Sequence, residues 1–143
     1  MSDNENQAPE PRRMRPVIGH DNRPWWDKIN EGELPIQKCT ECGTLRHPPR
    51  PMCWKCQSLE WEMVPSSGKG TVYSYSVVRQ SYHPFFRNLV PYAVAYIDLA
   101  EGPRFLTNVV GVDDPLTEVH IGQSVELVWE EHEELSIPLV QPV

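Results

Sequence analysis

A mostly β protein is predicted, a small four-cysteine module followed by a five-stranded barrel, and three observations predict it. All four cysteines fall within residues 39–56, as two Cys-x-x-Cys pairs with ten residues between them. From residue 71 onward the apolar residues recur with period two, the spacing of strands. Fifteen prolines and turn signals about every ten residues leave little room for helix. At 143 residues the chain holds one ordinary domain, or a small domain plus a module too small to fold alone.

Residues 1–15 are polar, lack apolar periodicity and read as a disordered tail. Residues 16–33 form an N-terminal helical segment. In it Asp21 or Asn22 caps a short helix, Pro24 fits the first turn and Gly32 stops it. Trp25 and Ile29, four apart, share one face, with Trp26 on its flank. Two adjacent tryptophans on so short a helix either pack on the cysteine module or anchor in a partner's groove.

Residues 34–64 make up the cysteine module. A strand at 34–38 enters the first pair, a proline-rich arm at 45–51 returns, and an alternating strand at 59–64 leaves. A two-residue gap turns both sulfurs of a pair toward one point. Two such knuckles place the thiolates of Cys39, Cys42, Cys53 and Cys56 in a tetrahedron around Zn²⁺, at about 2.3 Å each. Gly43 suits the positive φ such a knuckle needs, and Gln57-Ser58 follow the second pair less ideally. Four sulfurs leave no open position, so the metal is structural, though tetrahedral sulfur suits iron as well. Adjacent disulfides would need an oxidising compartment, and no secretory pattern opens the chain, which favours a cytoplasmic setting. His47 is then a surface group or a neighbour of the metal site, not a ligand.

Residues 65–143 form the barrel. Strands are expected at 71–80, 91–99, 104–110, 124–130 and 135–140, with Val125, Leu127 and Trp129 facing inward. Five strands with short turns indicate a Greek-key barrel of the OB type. The loop at 81–90 holds Tyr82, His83, Phe85, Phe86 and Arg87, more aromatic surface than a solvated loop carries. It covers a barrel end, or reaches a ligand or another subunit.

Charge narrows the function. Residues 38–87 hold seven basic groups against three acidic ones, whereas residues 88–143 hold one against ten. The second figure argues against a continuous phosphate track for single-stranded nucleic acid. Basic groups such as Arg46, Arg50 and Arg79 offset the thiolates and remain candidates for a phosphate-bearing ligand. No run is long and apolar enough to cross a bilayer. No glycine-rich phosphate loop or HExxH helix is present, and the cysteines are used by the metal, so the chain reads as a binding module. The acidic run Glu130, Glu131, Glu133 and Glu134, with His132 inside it, reads as a solvated turn.

The order of parts carries a further signal: GELPIQKCTECGTLRHPPRPMCWKCQS, then SSGKGTVYSYSVV, then PYAVAYIDLAEGPR. Together these resemble the zinc-ribbon/OB-fold proteins of acyl-CoA metabolism, the domain-of-unknown-function-35 group, over residues 24–142. The resemblance implies a helical start, a rubredoxin-like zinc ribbon and an OB-fold barrel. It also implies a non-catalytic accessory subunit that partners thiolase-fold enzymes, sterol-carrier-type thiolases or aldolases, in a heteromer such as two plus two chains. One similar group is the domain attached to a MaoC-like hydratase in bacterial steroid side-chain degradation. Binding or passing of acyl-CoA is implied too, and a stand-alone acyl-CoA carrier is the alternative. Trp54 stands where the family often has proline after the third cysteine.

Overall fold

The computed structural model describes residues 9–143; the start of the expected disordered tail, residues 1–8, lies outside the described residues. Residues 9–22 carry no helix or strand. Helix α1 (Arg23–Asn30) then buries Trp25 and Ile29 on one face, as their spacing predicts. Its cap differs from expectation. Asn22 occupies the N-cap position, but its side chain accepts from Gly19 N at 2.7 Å and donates to Val17 O at 3.0 Å. It therefore shapes the entry to the helix and leaves the first-turn amides alone.

Strand β1 (Pro35–Cys39) is the centre of a three-stranded antiparallel sheet. The two-residue β2 (Leu45–Arg46) lies on one side and β3 (Trp61–Pro65) on the other. The prolines at 48, 49 and 51 explain why β2 is so short, since proline has no N–H for the ladder.

The barrel follows, from β4 (Lys69–Val78), β5 (Tyr92–Leu99), β6 (Arg104–Val109), β7 (Ser124–His132) and β8 (Leu135–Pro142). The strands close in the order β4-β5-β6-β8-β7, with β7 back on β4. All neighbours are antiparallel except β6 and β8, where a parallel pairing at Val109 and Val140 closes the ring. The alternation on β5 points Ala93, Ala95, Ile97 and Leu99 inward, all buried, while Tyr96 faces out. On β7, Val125 is fully buried, whereas Leu127 and Trp129 pack at the edge of the core. A one-turn helix α2 (Pro115–Glu118) interrupts the β6–β7 connection, capped by Asp114 Oδ1 accepting from Leu116 N at 3.0 Å.

One hydrophobic core runs through both parts. Trp25, Ile29, Leu34 and Ile36 join Val72, Ala93, Ile97, Phe105 and Val140 in a single cluster. The cysteine sheet is thus packed onto the barrel through α1. His47 sits half-buried in this seam, against aromatic rings and not on open surface as one expected placement had it. Its ring centre lies 5.5 Å from Trp25 and 5.5 Å from Phe105. No helix among the described residues is long and apolar enough to cross a membrane, which says nothing about strands.

Candidate metal centre and its surroundings

The two knuckles are built alike. Gly43 N donates to Cys39 O and Gln57 N to Cys53 O, both at 2.9 Å. Cys39 N donates to Thr44 O and Cys53 N to Ser58 O, again at 2.9 Å. Each turn needs a left-handed residue after its second cysteine. Gly43 supplies it at φ +77°, and Gln57 supplies it at φ +64°. The two turns bring all four sulfurs within 4.8 Å of one another.

These distances fit a tetrahedral ion. Zinc–sulfur bonds of about 2.3 Å imply sulfur–sulfur edges of about 3.8 Å. Cys39 and Cys56 lie 3.5 Å apart and Cys42 and Cys53 3.7 Å apart, far beyond an S–S bond of about 2.05 Å. The donor set points the same way. Hydrogen bonding from Thr44 draws the Cys42 thiol down to about 6. At Cys56 the Ser58 amide works in the same direction, but burial and the neighbouring sulfurs outweigh it and push the thiol up to about 12. Four thiols this close do not all ionise by themselves; a dication supplies the missing charge. Cys39 and Cys53 are buried and Cys42 and Cys56 exposed, so one edge of the site faces solvent. The group is a structural zinc centre.

The other residues singled out from the sequence divide into an interior set and a surface set. Trp25 is only 6% exposed, and its indole N–H donates to Pro35 O at 3.0 Å. Trp26 is half-buried, edge-on to Trp25 at 4.9 Å. Arg46 is 5% exposed; its Nε donates to Gln37 Oε1 at 2.7 Å and its Nη2 to Arg50 O at 3.0 Å. Gln37 Oε1 also accepts from Arg50 N at 2.8 Å, so one buried amide ties β1 to the proline-rich arm. Arg46 Nη1 is buried without a protein partner. The cleft beside it, about 330 Å³, is lined by Arg46, Arg50, Met52, Trp54 and Pro103 among others. Trp54 is 73% exposed there.

The aromatic loop folds into a 3-10 turn over Pro84–Phe86, capped by His83 Nδ1 accepting from Phe85 N at 3.1 Å. Phe85 and Phe86 are partly buried and edge-on at 5.0 Å, while Tyr82, Arg87 and Arg79 are exposed. Arg79 stands apart, at the foot of this loop, and does not join Arg46 and Arg50. Two residues were missed by sequence reasoning. Gln37 is a polar residue on the central strand, and no signal in its sequence spacing marked it as buried. Arg13 belongs to the stretch read as tail, yet it packs on Phe85 and Phe86.

A sulfur-bound zinc ribbon packed through a short helix onto a closed five-stranded barrel defines the zinc-ribbon/OB-fold class. Family models agree: "ChsH2, rubredoxin-like zinc ribbon domain" matches residues 26–62 and "ChsH2, C-terminal OB-fold domain" residues 63–130. The chain belongs to the DUF35 family. A "DUF35 domain-containing scaffold protein" of Methanocaldococcus jannaschii is 40% identical over 73% of this chain and 73% of its own length. A "Probable enoyl-CoA hydratase alpha subunit" of Thermomonospora curvata is 42% identical over 95% of this chain. The chain spans only 42% of that relative's length. A "Benzoylsuccinyl-CoA thiolase subunit BbsA" of Geobacter metallireducens is 38% identical over 59% of this chain and 57% of its own. Among solved structures, a chain of the "Ltp2-ChsH2(DUF35) aldolase" superposes with a TM-score of 0.82 at 43% identity, covering 90% of this chain and 98% of that one.

Proposed function

We propose that this chain is a non-catalytic accessory subunit of a thiolase-fold acyl-CoA enzyme, a thiolase or a retro-aldolase of the type used in bacterial steroid side-chain degradation. The carrying observation is the match to the DUF35 chain of an aldolase complex, at 43% identity over nearly that whole chain. Relatives named as scaffold proteins and as a thiolase subunit support the same role. The partner performs the bond cleavage; this chain supplies a rigid surface that completes the partner's assembly, in a two-plus-two complex in the cytoplasm.

Acyl-CoA contact is a part of the proposal with its own support. Arg46 carries an unpaired buried N–H in a cleft that also holds Arg50 and the exposed Trp54. Such a cleft suits the phosphates and the adenine of a CoA thioester. Calorimetry of the complex with an acyl-CoA tests it: Arg50→Ala weakens binding if the cleft contributes, and unchanged affinity removes this part.

The main proposal is tested by co-expression with a thiolase-fold partner and an assay of acyl-CoA cleavage. The partner is expected to turn over only with this chain present, and this chain alone to be inert. Full activity of the partner by itself, or turnover by this chain alone, overturns the reading.

A further inference from the structure

The aromatic turn and the acidic run at the end of β7, two features set apart in the sequence, meet in one surface. Glu130 and His132 lie on β7, with His132 Nε2 2.6 Å from Glu130 Oε1. Phe85 stands edge-on to the His132 ring at 6.1 Å, and Phe86 packs against Tyr92 at 5.1 Å. Aromatic faces beside carboxylates form a surface that favours a guanidinium, through its flat face and its charge together.

A guanidinium is what lies there. Residues 9–15, without regular structure, cross this surface. The Arg13 guanidinium is 5.4 Å from the centre of Phe85 and 5.2 Å from that of Phe86. Its Nε is 3.3 Å from Glu130 Oε1, and the side chain is only 14% exposed. Arg15 pairs with Glu134 farther along, a contact exposed on both sides and therefore weak. Arg13 also forms a wall of three neighbouring pockets, of about 520, 200 and 310 Å³. Ordering an irregular arm costs conformational entropy, so the partly buried Arg13 must carry most of the compensation.

We propose that Phe85, Phe86, Glu130 and Glu134 form a receptor for an arginine-bearing segment, and that the chain's own residues 9–15 are its resident occupant. The arm is a latch. While it is closed, the aromatic turn is not available to another chain, and a competing segment needs an arginine in the place of Arg13. This inference does not depend on which enzyme the chain serves.

The test uses the full chain, zinc-loaded, and a fluorescent peptide of residues 9–18 supplied in trans. In the wild-type chain the arm fills the receptor. In the Arg13→Ala/Arg15→Ala chain the arm lets go, and the peptide is expected to bind about tenfold more tightly than to wild type. The binding should weaken as salt is raised, and a peptide carrying Arg13→Ala should lose it. Unchanged circular dichroism and zinc content confirm that the variant is folded, as expected for substitutions outside every helix and strand. Equal peptide affinity for wild type and variant, or none for either, overturns the proposal.

Discussion

His47 concentrates several interactions in one side chain. Burial in the seam between Trp25 and Phe105 lowers its pKa from 6.5 to about 4, so the folded protein keeps the ring neutral. Between about pH 6.5 and 4 the unfolded chain therefore binds a proton that the native state refuses. Stability is present above that window and falls as pH drops through it, by at most about 3 kcal/mol. Urea unfolding of His47→Gln beside wild type isolates this term from acid loss of zinc: the variant should show a shallower decline between pH 6.5 and 5. NMR titration should find the ring neutral at pH 5.5. Gln57 is the second revealing residue, held at φ +64° where Gly43 does the same work in the other knuckle. Gln57→Gly should raise stability by up to about 1 kcal/mol, read by urea unfolding of the zinc form. The need for a left-handed residue was legible from the Cys-x-x-Cys-Gly spacing. The burial of His47, Gln37 and Arg46 was not, because it comes from elements far apart in the chain closing over them.

Among elements, the ribbon sheet and the β4–β5 pair make the firmest expectations. The sheet has one two-residue strand, and its apolar residues Ile36, Leu45, Met63 and Val64, with Leu34 beside them, pack into the core shared with the barrel, so the metal is what holds the knuckle end of the sheet together. Chelation, or Cys39→Ser, should abolish zinc binding and lower the thermal midpoint of the chain in a single transition, because Leu34 and Ile36 belong to the same core as the barrel. In β4, Gly70 lies so near β5 that an added Cβ would stand 2.6 Å from Asp98 O and 2.7 Å from Ile97 Cγ2. Gly70→Ala should cost roughly 1–3 kcal/mol, whereas Gly19→Ala, with open space around it, should stay within about 0.5 kcal/mol. All five barrel strands were legible because period-two alternation survives wherever one face is buried. Helix α2 was not; four residues are too few for a helical period, and Asp114-Pro115 reads equally as a turn. The α1 boundary was legible from Pro24 and Gly32, but the bonding of Asn22 was decided by Val17 and Gly19, outside the helix.

At the scale of the whole molecule, the zinc ribbon and the barrel act as one body because α1 is wedged between them. In the proposed accessory role, that rigidity is what the chain contributes, since a partner gains most from a surface already in its bound shape. The Cys pairs and the barrel pattern let this architecture be read ahead of the structure. A thiolase-fold partner was suggested only by family resemblance, because no spacing of residues encodes another protein's surface. The most direct test mixes the zinc-loaded chain with a candidate thiolase-fold enzyme and measures mass by size-exclusion chromatography with light scattering. One species holding both chains in equal number is expected; two separate species, each at its own mass, would contradict the proposed role.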